Sequence, residues 1–120
     1  MQHFSEEGDP MLYFCPCGEC NSSPSEALLE ALDECRDMAG IPFIVTSGPR
    51  CEAHNEHVGG SQYSAHLDGD AADIKATDSH SRFVIVKAAI ECGFNRIGIA
   101  RSFVHLDVSE SNSQEVVWLY

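Results

Sequence analysis

Two histidines and one aspartate, well separated along the chain, constrain the fold more than any other feature of this sequence. His66 and Asp73 lie in the segment Ser64–Asp73, and His105 lies further on in Phe103–Asp107. Imidazole nitrogens and carboxylate oxygens are zinc ligands, and three of them leave a tetrahedral zinc ion one open position for water. Because catalytic zinc sites have this composition, the sequence predicts a fold that brings the three side chains together around one zinc ion.

The composition is that of a single globular domain and argues against two classes of partner. The 120 residues include 19 acidic and 7 basic side chains, for a net charge of −12. Nucleic acids and anionic membranes bind proteins largely through Lys and Arg, so we expect neither as a partner. We also expect the protein to be a monomer. The first residues lack the basic and apolar parts of a secretory signal, and we therefore expect synthesis in the cytoplasm.

Hydrophobic patterning predicts an α+β fold over residues 1–120, with an antiparallel sheet flanked by two main helices. The first helix is expected from an N-cap at Ser23 to Gly40, and the second from Ser79 to Cys92. Residues 1–22 are expected to form an irregular arm, and residues 51–65 a loop that could include one helical turn. The predicted strands are Phe43–Ser47, Ala71–Lys75, Arg96–Ala100, Phe103–Val108 and Val116–Tyr120.

Alternation in the strand Phe103–Val108 places His105 and Asp107 on the face opposite Val104 and Leu106. A helix packed on the apolar face would leave His105 and Asp107 lining a cleft. Asp73 and His66 could reach that cleft if the loop before Ala71 folds back over the sheet. A histidine taken alone is more often a hydrogen-bonded core or surface residue, but the dense pattern around His66 favours the ligand interpretation.

The six cysteines fall into two groups. Cys35 and Cys92 lie on apolar helical faces and are expected to pack as small hydrophobic residues. The other four could hold a second, structural zinc ion, or they could be reduced or adventitiously oxidised thiols. These four are Cys15, Cys17 and Cys20 in the arm, together with Cys51.

Motifs spread along the chain resemble those of one enzyme family. The pattern S-x-H-x-x-G-x-A-x-D over Ser64–Asp73 resembles the zinc-site motif of the zinc D-Ala-D-Ala carboxypeptidase family of peptidoglycan peptidases. Thr46–Gly60 is similar to that family's S-G-x-R segment followed by H-N and V-G-G, and Phe103–Asp107 is similar to its closing H-x-D strand. The Cys-Pro-Cys-Gly arm is similar to that of small phage-borne members. The resemblance implies a hedgehog/DD-peptidase-like fold.

The resemblance also implies roles for individual residues. His66, Asp73 and His105 would be the zinc ligands, and Arg50 would bind a carboxylate of the substrate through its planar guanidinium. Arg50 could equally form a surface ion pair. Ser64 would hold its loop or contact the substrate.

One position departs from the family pattern. Many relatives have a Glu or Asp three residues before the last zinc histidine, where it acts as general base, and this chain has Ser102 there. Asp107 is the nearest substitute in sequence, so we expect it either to activate the water molecule or to orient the His105 ring. Trp118 could line the cleft or pack in the core.

The implied activity is hydrolysis of bacterial cell-wall stem peptides by a zinc metallopeptidase. The bond could be a terminal D-Ala-D-Ala bond or an internal one such as L-Ala-D-Glu. A compact peptidase of this type would suit a phage or prophage lytic enzyme that acts on the wall after release. Hedgehog domains look similar around the metal, so a non-catalytic zinc-binding module is the alternative, and Ser102 favours it. A third possibility is a scaffold held together by zinc at the cysteine arm.

Overall fold

A computed structural model describes residues 2–18 and 20–120, and it contains one five-stranded sheet with helices around it. The helices are α1 (Pro10–Tyr13), α2 (Glu26–Ala39), α3 (Glu52–His57) and α4 (Ser79–Glu91). The strands are β1 (Val45–Ser47), β2 (Ala71–Lys75), β3 (Arg96–Ile99), β4 (Phe103–Asp107) and β5 (Val116–Leu119). A 3₁₀ helix at Ala65–Asp68 precedes β2. The predicted α+β class is confirmed.

The strands lie in the order β1-β2-β4-β3-β5. The first four pair antiparallel as predicted, whereas β5 pairs parallel with β3. β4 runs opposite to β3. The chain reverses its direction after β4 and then pairs with the free edge of β3, so β5 runs in the same direction as β3. The sheet is therefore mixed at one edge.

The apolar core lies between one face of the sheet and the two long helices. Leu28, Leu32 and Cys35 of α2 are fully buried against it. The sheet contributes Val104 and Leu106, which are also fully buried. The alternation predicted for β4 is confirmed, because its apolar side chains face the core and the side chains between them lie on the opposite face of the sheet.

The start of α2 differs from the prediction. Its N-cap is Ser25, whose hydroxyl accepts a hydrogen bond from the backbone N–H of Leu28 at 3.2 Å, and not Ser23. The Ser25 N–H donates to the carbonyl of Gly69 at 2.8 Å, and a Cβ at Gly69 would collide with the Ser23 carbonyl. Packing against the Gly69 turn therefore holds residues 23–24 outside the helix.

Two further local predictions were incomplete. The arm contains α1, which the sequence did not predict, and residues 51–65 contain the six-residue helix α3. Cys35 is buried in the core and Cys92 packs against it, as expected. None of the helices among the described residues is long and apolar enough to cross a bilayer.

Candidate active site

Strand pairing places five residues in one row across the polar face of the sheet. Ser47 lies opposite Asp73, and Asp73 lies opposite His105. His105 and Trp118 both pair with Gly98, from its two sides. Paired residues of neighbouring strands have side chains about 5 Å apart on the same face. The backbone alone therefore brings Asp73 and His105 together.

His66 reaches the same point from the 3₁₀ helix before β2. Ser64 caps this helix, its hydroxyl accepting a hydrogen bond from the N–H of His66 at 3.2 Å. The His66 Nε2 atom lies 3.3 Å from Asp73 Oδ1, and His105 Nδ1 lies 2.9 Å from the same oxygen. We call these three residues the histidine–aspartate centre; one ligand atom of each lies within 4.8 Å of the other two, and all three residues are buried. The predicted set is thus brought together.

The outer hydrogen bonds of the two rings test whether a cation fits the histidine–aspartate centre. His66 Nδ1 lies 2.7 Å from the carbonyl oxygen of Gly48, and His105 Nε2 lies 2.7 Å from Asp107 Oδ2. Both partners are acceptors, so each neutral ring can donate its single proton outwards when a cation lies on the inner side. The inner nitrogens then present lone pairs towards a carboxylate oxygen that also only accepts. Three acceptors converging on one point fit a cation such as Zn²⁺, with one tetrahedral position left open.

The electrostatics of the histidine–aspartate centre show the same preference. Burial opposes ionisation of Asp73, but hydrogen bonds from His105 and His66 outweigh burial and lower the pKa of this carboxyl to about 2. Burial favours the neutral form of His105, but its hydrogen bonds to Asp107 and Asp73 raise the pKa of the ring above its ordinary value. Both shifts show that the two carboxylates favour positive charge at this point, which a bound cation would supply.

Arg50 lies beside the centre and is held by two side chains. Its Nη2 donates to Ser47 Oγ at 3.1 Å, and its Nη1 donates to Asn55 Oδ1 at 3.2 Å. Its Nη2 is also 3.9 Å from Asp73 Oδ2. The Nε–H is buried and finds no acceptor among the described residues. Arg50 is therefore a fixed cation at the centre, and not a surface ion-pair residue.

Asp107 lies behind His105 with both oxygens engaged. Oδ2 accepts from His105 Nε2, and Oδ1 accepts from Arg96 Nε at 2.7 Å and from the Ser109 N–H at 3.1 Å. The carboxylate is 1% exposed. These contacts correspond to the second of the two roles expected for Asp107, orientation of the ring.

A cleft of about 520 Å³ opens over the centre, a size typical of small-ligand sites. Arg50, Ser64 and Trp118 line it together with the centre and Asp107. The Trp118 ring lies 5.2 Å from that of His105, so Trp118 is part of the cleft wall. Ser102 is exposed in the turn between β3 and β4 and is not among the lining residues.

Comparison with known proteins bears directly on this arrangement. The sequence model of the Peptidase M15 family matches residues 13–107, which include every member of the histidine–aspartate centre. The chain belongs to the peptidase M15 family. This match confirms the family resemblance found in the sequence. The chain is therefore a peptidase of a metallopeptidase family whose members bind zinc. No curated protein matches the chain significantly.

This peptidase M15 chain also brings together the four cysteines of the second predicted site. The sulfur atoms of Cys15, Cys17, Cys20 and Cys51 all lie within 4.8 Å of one another, and we call these residues the thiol cluster. In the described part of the chain, none of these four sulfurs forms a disulfide bond. Hydrogen bonds with Ser22 lower the pKa of the Cys20 thiol to about 6.

Three residues of this M15 peptidase have roles in the site that the sequence did not predict. Arg96 holds Asp107, and its guanidinium carbon lies 5.0 Å over the Trp118 ring. The predicted β3–β4 hairpin could have revealed it, since Arg96 pairs with Asp107. Asn55 orients Arg50, and its amide donates to the Ser61 carbonyl at 2.9 Å. Tyr120 lines the cleft, a position that depends on the course of β5 and has no local signal.

Proposed function

We propose that the protein is a zinc-dependent peptidase that hydrolyses the stem peptides of bacterial peptidoglycan. The observation that carries the proposal is the convergence of two imidazoles and one carboxylate in a cleft that also presents a fixed arginine. Membership of the peptidase M15 family supports the reaction class, and the cleft residues support the finer assignment of metal and substrate.

The centre provides the ligands His66, Asp73 and His105. A zinc ion bound by them would supply Lewis acidity, lowering the pKa of a water molecule towards neutrality and polarising a peptide carbonyl. The chain's own contribution is to fix the rings. Gly48 and Asp107 accept the outer ring protons and so keep the inner nitrogens free for the metal.

Arg50 is the group that recognises the substrate in this proposal. Stem peptides end in a carboxylate and carry others along their length, and a guanidinium binds a carboxylate through charge-assisted hydrogen bonds. Each Nη atom carries two N–H groups, so both atoms keep a second donor for a carboxylate while the hydrogen bonds to Ser47 and Asn55 stay in place. A carboxylate held there would place a nearby peptide bond over the histidine–aspartate centre.

Asp107 acts in this proposal mainly on His105. Its oxygens are occupied by His105, Arg96 and the Ser109 N–H, so it stabilises the ring orientation. Asp107 and Asp73 are nevertheless the carboxylates among the described residues that line the cleft. A proton-transfer role for Asp107 would require its contacts to loosen when substrate binds.

We propose further that the enzyme acts on the cell wall after release from the cell in which it is made, as a phage-type lytic enzyme does. The similarity of the cysteine arm to small phage-borne members supports this. The acidic charge of −12 disfavours competing binding to nucleic acids and anionic lipids.

Digestion of purified murein followed by mass spectrometry of the fragments tests the proposal. Carboxypeptidase action releases free D-alanine, whereas endopeptidase action separates stems and exposes new amines. We expect chelation to abolish either release and added zinc to restore it. Failure of the folded, zinc-loaded protein to cleave murein or isolated stem peptides would leave the binding-module alternative, and release that survives chelation would refute the zinc dependence.

Replacement of Arg50 tests the recognition step. We expect Arg50→Ala to lower kcat/KM by about 10- to 100-fold, since a hydrogen bond to a charged group contributes about 1.5–3 kcal/mol. Arg101→Ala is the matched control, because Arg101 is exposed and lies outside the cleft lining. Equal activity of the two variants would contradict the role of Arg50.

A further inference from the structure

The thiol cluster lies outside the cleft and has no part in the proposed reaction. Three of its members follow α1 in the chain, namely Cys15, Cys17 and Cys20. The fourth, Cys51, is the N-cap of α3. The Cys51 sulfur lies 3.9 Å from that of Cys15 and 3.8 Å from that of Cys17. Segments more than thirty residues apart in sequence therefore meet through their sulfur atoms.

These separations fit a metal site better than a disulfide or an apolar cluster. Sulfurs at the corners of a tetrahedron with Zn–S bonds of about 2.3 Å are about 3.8 Å apart. A disulfide requires about 2 Å between sulfurs. Thiols that pack as hydrophobic residues lie in the core, as Cys35 does, whereas Cys17 and Cys51 are only partly buried in a polar loop region.

We propose that the thiol cluster binds a structural zinc ion. Four protein ligands close the coordination sphere, so this metal would have no position for water or substrate and would serve the fold alone. The Cys51 sulfur also accepts a hydrogen bond from the His54 N–H at 3.4 Å, which helps to hold the sulfur in its place in the cluster.

A metal bound by the thiol cluster would hold the segment between β1 and α3 in place. Gly48 packs so closely on the backbone of Met11 and Leu12 that a Cβ there would collide with it. Its carbonyl accepts the outer proton of His66, and the Arg50 N–H donates to the His66 carbonyl at 3.0 Å. A metal joining the arm to Cys51 thus clamps the segment that positions both His66 and Arg50. Binding of this metal does not depend on the proposed function, although the value of the clamp for catalysis does.

Zinc counting and cobalt substitution test the inference on the whole protein, purified in a non-chelating reductant. We expect two zinc ions per chain. Replacement of zinc by Co²⁺ should give the intense near-ultraviolet absorption of thiolate-to-cobalt charge transfer. That absorption should persist in His66→Ala, which loses only the metal of the histidine–aspartate centre. A single zinc ion per chain without thiolate–cobalt absorption would overturn the inference, and this measurement needs no variant that might fail to fold.

A matched pair of cysteine variants sharpens the assignment. Cys20→Ser should weaken zinc retention against a chelating dye, diminish the cobalt–thiolate band and lower the melting temperature. Cys92→Ser, a half-buried cysteine outside the cluster, should leave the zinc count and the band unchanged. Equal retention of two zinc ions and an unchanged band in both variants would contradict the assignment. Murein hydrolysis failing while the band is present would refute the proposed function alone.

Discussion

The histidine–aspartate centre and the thiol cluster offer metal ligands on two different kinds of scaffold. Asp73 and His105 stand on neighbouring strands whose backbone hydrogen bonds set their separation, and only His66 comes from a connecting segment. The four cysteines come from a loop and from a helix cap. Strand pairing holds two of the three ligands in place, and the set of three leaves a fourth coordination position free, which catalysis requires. A loop with little pairing of its own would gain order from a metal with all positions filled, as we propose for the thiol cluster.

The two sites also differ in what surrounds the ligands. Each imidazole of the histidine–aspartate centre has an outer hydrogen-bond partner, and Asp107 has partners of its own in Arg96 and Ser109. Such outer contacts fix the orientation of the rings and their basicity. In the thiol cluster, the sulfurs contact one another, and Cys20 and Cys51 also contact near neighbours in sequence, Ser22 and the His54 N–H. We therefore expect loss of the first metal to abolish activity with little change of fold, and loss of the second to lower stability.

The largest expected effect comes from removing a ligand on the sheet. His105→Ala should lower peptide hydrolysis by about a thousandfold or more, because bound zinc contributes several kcal/mol to transition-state stabilisation. The cobalt–thiolate band of the other site should remain. His57→Ala, an exposed histidine of α3, is the control and should keep full activity. Loss of both metals in His105→Ala would show that the two sites are not independent.

The next effect tests the outer contacts. Asp107→Asn should lower zinc affinity by about 10- to 100-fold, because it weakens the partner that orients His105. Zinc affinity and the pH profile of kcat, measured at saturating zinc, separate its two expected roles. A variant with normal zinc affinity that loses the acidic limb of the profile would identify Asp107 as a proton-transfer group. Asp68→Asn changes the same charge at an exposed position and should alter neither quantity.

The smallest effect concerns the one ligand that is not on a strand. Ser64→Ala removes the cap of the 3₁₀ helix that carries His66, so we expect a loss of about 1 kcal/mol in the free energy of unfolding with KM unchanged. Ser23→Ala is the control, since Ser23 is exposed and is not the cap of α2. Urea unfolding and steady-state kinetics measure the two quantities. A raised KM at normal stability would instead show that Ser64 contacts the substrate.

Much of the fold follows from local patterns. β2 was predicted with its observed bounds, and the β3–β4 hairpin and both long helices were predicted to within two residues at most of their ends. Period-two alternation in β4 correctly assigned His105 to the polar face, because side-chain direction in a strand depends only on position along it. These predictions succeeded because each depends on a few consecutive residues.

Predictions that depended on distant contacts fared less well. The N-cap moved from Ser23 to Ser25 because the Gly69 turn packs against residues 23–24. The direction of β5 followed from the path of the chain around β3, and it placed Trp118 over Gly98 and beside His105. No short segment contains the information for either contact.

The sequence by itself determined which side chains could bind a metal and which reaction class they suit, because ligand chemistry belongs to the residue types and their spacing. Only the tertiary structure decided that Asp107 lies behind His105 in contact with Arg96, and that four sulfurs from two distant segments meet at zinc-like distances. The physical reason is that a hydrogen bond or a coordination sphere depends on separations of a few ångströms. Between residues far apart in the chain, such separations are set by strand register and by the packing of loops.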